Sequence, residues 1–212
     1  MSDHEADAQM FTREFWDSRY AESERIWSGQ PNPRLLEHAS DLPPGTALDV
    51  GCGEGADAVW LARRGWRVTG VDLSTVALER AARHAEEAGV ADRCAWQQVD
   101  LLAGDPLPEA DLVSAQFMHL PDPQFATAYA ALAAAVRPGG TLLVAAHHPA
   151  DAGSGLRNPR LLHLLFGPEK VTALLDPGEW DVRVAAAPTR EDTRDGRTVT
   201  VTDTVVLAVR RG

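Results

Sequence analysis

The sequence predicts an α/β fold: a single doubly wound, mainly parallel sheet of seven strands, with an antiparallel C-terminal strand and an N-terminal helical cover. Three observations carry this prediction. Strand-like apolar segments alternate with helix-like segments over five successive units, which is typical of a parallel sheet with helices on both faces. Glycine or aspartate directly follows several of the apolar segments, as at the ligand-binding edge of such sheets. The last two apolar segments are separated by a polar stretch alone, so they should pair antiparallel.

Each predicted strand is a short apolar segment bounded by glycine, proline or an acidic residue. The strands are expected at Ala47–Val50, Arg67–Val71, Cys94–Val99, Ala110–Ala115, Thr141–Ala146, Trp180–Ala186 and Thr198–Val209. Residues 189–196, between the last two strands, are interpreted as a solvated turn. The Gly/Ser-rich stretch 151–159 is interpreted as a loop, either a lid over the acceptor site or a plain connector.

Helices are expected wherever apolar residues recur at helical spacing between these strands. The predicted helices are Phe11–Glu24, Arg34–Ser40, Ala56–Arg64, Thr75–Ala88, Pro123–Val136, Leu161–Phe166 and Glu169–Leu175. Ser74 should cap the fourth of them, and Gly89 should end it. A break at residues 43–45, Pro-Pro-Gly, divides the chain into an N-terminal helical cover, residues 1–40, and an α/β domain, residues 41–212.

Composition excludes several classes of protein. The 212 residues include 20 basic and 31 acidic side chains, so the formal net charge is −11, which argues against nucleic acid and anionic membranes as partners. No apolar run approaches the ~20 residues of a membrane span, and Met1–Gln9 does not resemble a signal peptide, so a cytoplasmic location is expected. Cys52 and Cys94 form neither a disulfide framework nor a zinc site, and no metal site is expected.

The strongest motif is L-D-V-G-C-G-E-G, which covers Leu48–Gly55. Here a strand runs into a glycine turn that opens a helix, so the backbone can approach a ligand closely. Asp72 follows Gly51 by 21 positions, close to the ~20-residue spacing of a carboxylate that binds a ribose. The two sites should meet at the carboxyl ends of neighbouring strands.

The identity of the nucleotide depends on charge. Gly51 and Gly53, with Ala56 three residues on, fit the dinucleotide fingerprint, so an NAD-dependent oxidoreductase has to be considered.

Three carboxylates argue against a pyrophosphate at this turn. Asp49, Glu54 and Asp57 would repel phosphate but would tolerate a sulfonium and an ammonium. These charges belong to S-adenosylmethionine, which is the expected cofactor. Asp100, at the end of the third predicted strand, is an acceptor suited to an adenine amino group.

Four motifs resemble those of class I S-adenosylmethionine-dependent methyltransferases, in the same order and spacing. They are L-D-V-G-C-G-E-G, V-D-L-S at Val71–Ser74, Q-V-D-L at Gln98–Leu101 and R-P-G-G at Arg137–Gly140. The resemblance implies that the glycine turn holds the methionine part of the cofactor. It also implies that Asp72 binds the ribose and that Asp100 and Leu101 meet the adenine. The cofactor-binding residues expected from the turn and the strand ends are Asp49, Gly51, Cys52, Gly53, Asp72, Leu73, Asp100, Leu101 and Gln116.

The N-terminal segment is similar to that of small methyltransferases acting on thiopurines, tellurite, halides and thiols. Trp16, Tyr20 and the W-x-x-G-x-P run that begins at Trp27 carry this likeness. In those enzymes the segment covers the cofactor, which implies that these three aromatic residues contact it. Trp16 and Tyr20 fit equally well as packing residues of a helix.

Three histidines follow the fourth and fifth predicted strands, on the side of the acceptor. His119 and His148 are the candidate bases, and His147 lies beside them; each could instead be a hydrogen-bonding wall residue. The expected function is methyl transfer to a small molecule. The likeness to the small methyltransferases slightly favours a thiol or other soft nucleophile, which needs no base. The alternatives are O- or N-methylation with a histidine base, an NAD-dependent oxidoreductase, and a cofactor-binding protein without turnover.

Overall fold

The structure, a computed structural model, describes residues 10–23, 26–194 and 196–212. Six α-helices lie in these ranges: α1 Arg13–Ala21, α2 Pro33–Ala39, α3 Ala56–Arg63, α4 Thr75–Glu87, α5 Gln124–Ala134 and α6 Pro168–Thr172. The strands are β1 Thr46–Val50, β2 Arg67–Asp72, β3 Cys94–Gln98, β4 Ala110–Gln116, β5 Val136–His147, β6 Trp180–Ala186, β7 Thr189–Arg194 and β8 Arg197–Arg210. Short 3-10 helices occur at Ala91–Arg93, Pro149–Asp151 and Pro159–Leu164.

The sheet has the order β3-β2-β1-β4-β5-β8-β6, and β7 pairs with β8 off this path. The strands β1 to β5 are parallel to one another, whereas β8 is antiparallel to β5, β6 and β7. The predicted fold class is therefore confirmed. The strand order reverses between β1 and β4, and ligands bind at the carboxyl ends of the strands beside such a point.

Alternate residues of the central strands face two separate cores. Leu48 and Val50 of β1 pack with α5 on one face of the sheet, through residues such as Phe125. Ala47 faces the other core, where it packs with α3 residues such as Leu61. This two-residue period buries both faces of the sheet, which is what a doubly wound fold requires.

Residues 189–196 correct one expectation. They were expected to form a solvated turn, but Thr189–Arg194 form β7, which pairs with β8 from Arg194↔Arg197 to Thr189↔Thr202. The pairing uses backbone groups, so it does not need an apolar sequence. The resulting hairpin carries β8 past His147, the last residue of β5, at the same edge as the glycine turn.

Other elements differ from the predictions mainly at their ends. The strand β5 begins at Val136 instead of Thr141, and the 3-10 helix Pro159–Leu164 takes the place of the predicted α-helix at residues 161–166. Arg137 of the R-P-G-G motif donates to Thr46 Oγ1 at 3.0 Å, at the sheet edge opposite the glycine turn. Ser74 caps α4 as predicted, because its Oγ accepts from Ala77 N at 3.1 Å.

The N-terminal segment packs directly on the α/β domain. Asp17 of α1 accepts from Ser74 Oγ at 2.6 Å, which ties α1 to the start of α4. The division at residue 40 stays a prediction, and residues 1–9 and 24–25 lie outside the described part of the chain. Among the described helices, none combines the length and apolar character needed to cross a membrane.

Candidate functional site

The glycine turn after β1 uses its own backbone donors. Gly51 N and Cys52 N both donate to Val71 O, at 2.8 and 3.0 Å, and Gly53 N donates to Asp72 Oδ2 at 2.9 Å. A pyrophosphate bound at a helix N-terminus needs free backbone N–H groups. These three groups are already engaged, so they are not free to donate to a pyrophosphate.

Two of the carboxylates near the turn have partners of their own, so they would repel a phosphate less than the sequence suggested. Glu54 forms a buried ion pair with Arg80, at 2.9 Å, so its charge is compensated. Asp57 accepts from both the backbone N and the side-chain Nδ2 of Asn32, each at 2.7 Å. Both acids therefore fasten the N-terminal segment to the turn, and the case against a phosphate rests on the occupied N–H groups.

Asp49 differs from the other acids near the turn, because one of its carboxylate oxygens accepts no hydrogen bond from the described residues. Its side chain is buried, and Oδ2 has no hydrogen-bond partner in the described part of the chain. Burial, reinforced by Asp57 and Asp72, raises the pKa of Asp49 well above its ordinary value. Gln116, at the end of the adjacent strand β4, likewise has a buried Oε1 without a described partner. Two buried acceptors in neighbouring strands call for a ligand that donates hydrogen bonds or carries positive charge.

Asp72 is held rigidly at the end of β2. Its Oδ2 accepts from Gly53 N and its Oδ1 from Ser74 N, both at 2.9 Å. Burial raises the pKa of this carboxyl, and the hydrogen bonds to Ser74 and Gly53 act in the opposite direction. Leu73, next to it, is half-buried. Each carboxylate oxygen can accept more than one hydrogen bond, so the fixed group can also receive two vicinal hydroxyls.

Two aromatic side chains lie over the glycine turn. A Cβ at Gly53 would lie 2.9 Å from Tyr20 Oη and 3.3 Å from Trp27 Nε1, so the glycine is required there, and its φ of +53° favours it further. Trp27 Nε1 donates to Tyr20 Oη at 3.1 Å. Burial, and to a lesser extent the negative charge of the nearby Asp72, raises the pKa of Tyr20 above its ordinary value. Trp16 is half-buried beside Tyr20, with 6.1 Å between ring centroids.

A buried ion pair holds this aromatic cover in place. Glu54 accepts from the backbone N–H groups of Ile26 and Trp27, at 3.2 and 3.1 Å to Oε2. Arg80, its ion-pair partner, also donates to the carbonyl of Tyr20. The cover over the turn is thus tied to the turn itself and to α4.

Two other predicted cofactor residues have local partners. The Cys52 thiol is turned toward Gly70, where a Cβ would lie 3.0 Å from Sγ, and burial raises its pKa well above the usual value. Asp100 Oδ1 accepts from Leu102 N and Ala103 N, at 2.9 and 3.1 Å, so it caps a turn. Leu101, beside it, packs against the core. Contacts of these residues with a cofactor stay predictions.

Met118, after β4, lies against Gly51 of the turn, and His119 follows it. A Cβ at Gly51 would lie 3.8 Å from Met118 Sδ, and Tyr129 Oη donates to Met118 O at 2.9 Å. His119 Nδ1 lies 2.9 Å from Phe117 O, and its Nε2 accepts from His147 N at 3.1 Å. A carbonyl can only accept, so His119 is neutral and carries its hydrogen on Nδ1.

The other predicted base is engaged in the same way. His148 Nδ1 accepts from Ala150 N at 3.1 Å, which leaves the ring hydrogen of the neutral form on Nε2. In both His119 and His148 the basic lone pair is therefore occupied by a backbone N–H group. Neither ring is arranged to take a proton from a substrate in this structure, and a base role for either stays a prediction.

His119 should make folding sensitive to acid. Burial lowers its pKa to about 4, whereas an unfolded histidine takes up its proton near ~6.5. The unfolded state then binds more protons between these values, so the free energy of unfolding falls as pH drops through this window. Across this pH window, the melting temperature should fall less steeply with decreasing pH for His119→Gln than for the wild type. His38→Gln, which removes a histidine of α2, is the control, and equal slopes for all three proteins would contradict the assignment.

Comparison with known proteins is consistent with this geometry. Residues 47–140 match a protein family described as a methyltransferase domain. A ubiquinone biosynthesis O-methyltransferase from Hahella chejuensis is 33% identical over 174 residues, which cover 78% of this chain and 68% of that protein. The chain belongs to the class I S-adenosylmethionine-dependent methyltransferases.

Another relative shows how much of the length is shared. A ubiquinone biosynthesis O-methyltransferase from Alkalilimnicola ehrlichii is 35% identical over 170 residues, 76% of this chain and 64% of that protein. This methyltransferase spans 54–64% of the length of the first relatives that it matches.

Solved structures agree on the fold. A protein studied for the conversion of a disulfide bond into a thioacetal group during echinomycin biosynthesis has a TM-score of 0.71 at 23% identity, over 94% of this chain and 92% of that one. TehB from Haemophilus influenzae has a TM-score of 0.69 at 16% identity, over 94% and 67%. Magnesium protoporphyrin IX methyltransferase from Synechocystis PCC 6803, with bound S-adenosylhomocysteine, has a TM-score of 0.60 at 18% identity, over 100% and 89%.

The cofactor of this methyltransferase is S-adenosylmethionine, and the site fits it. Asp49 and Gln116 offer buried acceptors for a cationic, hydrogen-bond-donating group, and Asp72 offers a fixed carboxylate for a ribose. The N–H groups of Gly51, Cys52 and Gly53 are already engaged and are not available to a phosphate. The sequence had indicated the acids of the turn, but the role of Gln116 followed only from its place at a strand end.

Sequence reasoning missed two residues beside the turn, Met118 and Arg80. Met118 has no sequence signal beyond its position after β4. Arg80 lies 26 residues from Glu54, its partner in the buried ion pair. An ion pair between residues so far apart leaves no periodic pattern, so spacing alone could not have found Arg80.

Proposed function

We propose that this methyltransferase transfers the methyl group of S-adenosylmethionine to an oxygen atom of a small-molecule acceptor. The observation that carries the choice of oxygen is the name shared by the relatives, ubiquinone biosynthesis O-methyltransferase, at 33–36% identity over 70–78% of this chain. O-methylation was one of the alternatives that the sequence left open. The slightly favoured thiol acceptor has no observation of its own in support, since the likeness to TehB concerns the fold alone.

The reaction is an in-line displacement at the methyl carbon. The cofactor supplies an electrophilic methyl group on a sulfonium, and the C–S electron pair goes to sulfur as the acceptor oxygen forms the new O–C bond. The hydroxyl proton of the acceptor is lost to solvent. What the protein contributes is alignment and exclusion of water.

The cover and the turn supply that alignment. Tyr20 and Trp27 close the site over Gly53, and Met118 forms the opposite wall against Gly51. With Trp16 they exclude water from the reacting atoms. The proposed cofactor contacts are Trp16, Tyr20, Trp27, Asp49, Gly51, Cys52, Gly53, Asp72, Leu73, Asp100, Leu101 and Gln116.

The histidines take a different role in this proposal from that of bases. His119 holds the backbone of His147 through the bond from His147 N to Nε2, at 3.1 Å, and the lone pair of His148 is taken by Ala150 N. His119 and His148 are therefore proposed as residues that shape the acceptor side. The acceptor oxygen then has to arrive ionised or to lose its proton directly to water.

The test compares matched oxygen and sulfur acceptors. The purified chain is incubated with S-adenosylmethionine and either catechol, phenol or thiophenol, and methylated products are measured by mass spectrometry. We expect methylation of an oxygen acceptor and a rate whose pH profile follows the pKa of that acceptor. Methylation of thiophenol without any oxygen product would overturn the proposal.

A binding measurement separates this function from the remaining alternatives. S-adenosylhomocysteine should raise the melting temperature by binding the folded state, and NADH should not. A shift from NADH alone would instead support the oxidoreductase. A shift from S-adenosylhomocysteine with no turnover of any acceptor would support a binding protein without catalysis.

A further inference from the structure

We propose that Asp49 selects the cofactor by charge. Its side chain carries a proton while the site is free, and it becomes a carboxylate when the positive charge of the methionine part of S-adenosylmethionine comes beside it. Cofactor binding therefore releases a proton and disfavours nucleosides that lack this charge. The inference concerns the cofactor and not the acceptor, so it goes beyond the proposed function and holds whichever atom is methylated.

Asp49 is buried, and one of its oxygens lacks a partner. The residue is 2% exposed, and Oδ2 accepts no hydrogen bond in the described part of the chain. An ionised carboxylate in such a place is costly, because it loses its hydration without gaining a counter-charge. A protonated carboxyl costs less there, since only a neutral polar group is then buried.

The groups around Asp49 also favour its protonated form. Burial raises the pKa of Asp49 well above its ordinary value, and the negative charges of Asp57 and Asp72 raise it further, whereas a hydrogen bond from the Ala58 backbone acts in the opposite direction. The buried thiol of Cys52 has a raised pKa as well, so it stays neutral. The nearby guanidinium of Arg80 is already paired with Glu54.

Asp57 and Asp72 are the other acids that could hold this proton. Asn32 donates to Asp57 from its backbone N and its side-chain Nδ2, each at 2.7 Å, and such hydrogen bonds favour the ionised form. Asp72 likewise accepts from two backbone N–H groups, both at 2.9 Å. Asp49 has fewer donors among the described residues, so the proton belongs on Asp49.

Gln116 places a second acceptor on the same face of the sheet. Asp49 of β1 pairs in register with Ser114 of β4, so the side chains of Asp49, Ser114 and Gln116 lie on one face. Gln116 Nε2 donates to Ser114 Oγ at 3.0 Å, and its Oε1 is buried without a partner among the described residues. Both orphan oxygens therefore favour a positive charge at the carboxyl ends of β1 and β4.

The chemistry of the cofactor brings its charge to this place. Asp72 ends β2, the neighbour of β1, and is the carboxylate suited to the ribose. The methionine part is attached to that ribose, so it extends from the end of β2 over the ends of β1 and β4. A positive charge within about 4–6 Å of an acid favours the ionised form, and this effect needs no direct contact with the buried Oδ2.

The direction of the pH dependence follows from this arrangement. A ligand that favours the carboxylate of Asp49 displaces a proton, so its affinity rises with pH until Asp49 is ionised in the free protein, and then levels off. Burial raises the pKa of Asp72 as well. Asp72 meets the ribose, which 5′-methylthioadenosine shares with the cofactor. Because this nucleoside has neither the ammonium nor the sulfonium, it reports any contribution of Asp72 without that of Asp49.

The test counts released protons by calorimetry. Binding of sinefungin, S-adenosylhomocysteine and 5′-methylthioadenosine is measured from about pH 5.5 to about pH 8, at each pH in two buffers of different ionisation enthalpy. Sinefungin has an ammonium-bearing carbon in place of the methylated sulfur, and it should release up to about one proton. 5′-Methylthioadenosine should release none.

S-adenosylhomocysteine distinguishes the two sources of positive charge. It keeps the ammonium of the methionine part but has a neutral sulfur. Proton release equal to that of sinefungin would assign the effect to the ammonium. Release by sinefungin alone would assign it to the charge at the sulfur position, in which case Asp49 also favours the methyl donor over its product.

Asp49→Asn is the matched variant, because it has the shape of protonated Asp49 and cannot ionise. It should release no proton, and its affinity for sinefungin relative to 5′-methylthioadenosine should fall at least about tenfold at about pH 8. Its melting temperature should not fall below that of the wild type, since the amide resembles the proposed free state. Asp41→Asn, at an exposed position before β1, should behave as the wild type.

Three results would overturn the inference, and the first two need the wild type alone. They are proton release by 5′-methylthioadenosine equal to that of sinefungin, no release by any of the ligands across the pH range, and unchanged release by sinefungin in folded Asp49→Asn. The proposed function fails on a different observation, thiophenol methylation without any oxygen product. The two failures are therefore distinguishable.

Discussion

Replacing Glu54 by glutamine is expected to lower the free energy of unfolding by about 3–5 kcal/mol. Glu54 and Arg80 have side chains that are 4% and 9% exposed, so the variant leaves a buried guanidinium without its counter-charge. The loss is a large fraction of the ~5–15 kcal/mol that stabilises a typical domain. Chemical denaturation of the two proteins, followed by circular dichroism, measures the difference.

Two variants make this expectation specific. Asp181→Asn removes one charge of an ion pair with Arg183 whose side chains are 39% and 60% exposed, and should cost under ~1 kcal/mol. Arg80→Met added to Glu54→Gln removes the uncompensated cation and should recover part of the loss. Equal destabilisation by Glu54→Gln and Asp181→Asn would show that the buried ion pair contributes no more to stability than the exposed one.

Asp72→Ala is expected to weaken binding of S-adenosylhomocysteine by about tenfold to a hundredfold. Hydrogen bonds to a charged group contribute about 1.5–3 kcal/mol, and the variant loses those to the ribose. It also leaves Gly53 N and Ser74 N without their acceptor, which loosens the glycine turn. Calorimetry measures the affinity, and the thermal transition of the variant shows whether it is folded.

The control for Asp72 is Asp41→Ala, which removes the same charge from an exposed position before β1. Its affinity for S-adenosylhomocysteine should equal that of the wild type. If folded Asp72→Ala bound as tightly as this control, Asp72 would not be part of the cofactor site.

Local patterns carried most of the correct predictions about the fold. Ser74 could be predicted as a helix cap because the hydroxyl of a serine before a helix accepts a hydrogen bond from a backbone N–H group of the first turn. That hydrogen bond, from Ala77 N, is present. Gly51 and Gly53 could be read as a turn because their φ angles, +70° and +53°, suit glycine. In both cases the deciding interaction lies within a few residues.

Interactions between distant residues could not be predicted in this way. Glu54 reads as one of several acids that repel phosphate until Arg80 is placed beside it. Likewise, Asp151 and Arg157 lie in a stretch that looked like a loop, although Thr202 of β8 anchors them. The strand Thr189–Arg194 is a different case, because it pairs with β8 as a local hairpin. Residues 195–196 are Asp-Gly, a sequence signal for a hairpin that the interpretation of this stretch as a solvated turn did not use. Charge pairing over long distances depends on the fold itself.

The predicted cofactor residues at the strand ends and the segment that follows β5 lie in different parts of the chain. The family match covers residues 47–140 and includes Asp49, Asp72 and Gln116. The buried ion pair of Asp151 with Arg157, and Thr202, which anchors Asp151, lie beyond it. A directed-evolution library confined to residues 147–203 would therefore vary the segment after β5 while Asp49, Asp72 and Gln116 stay as they are.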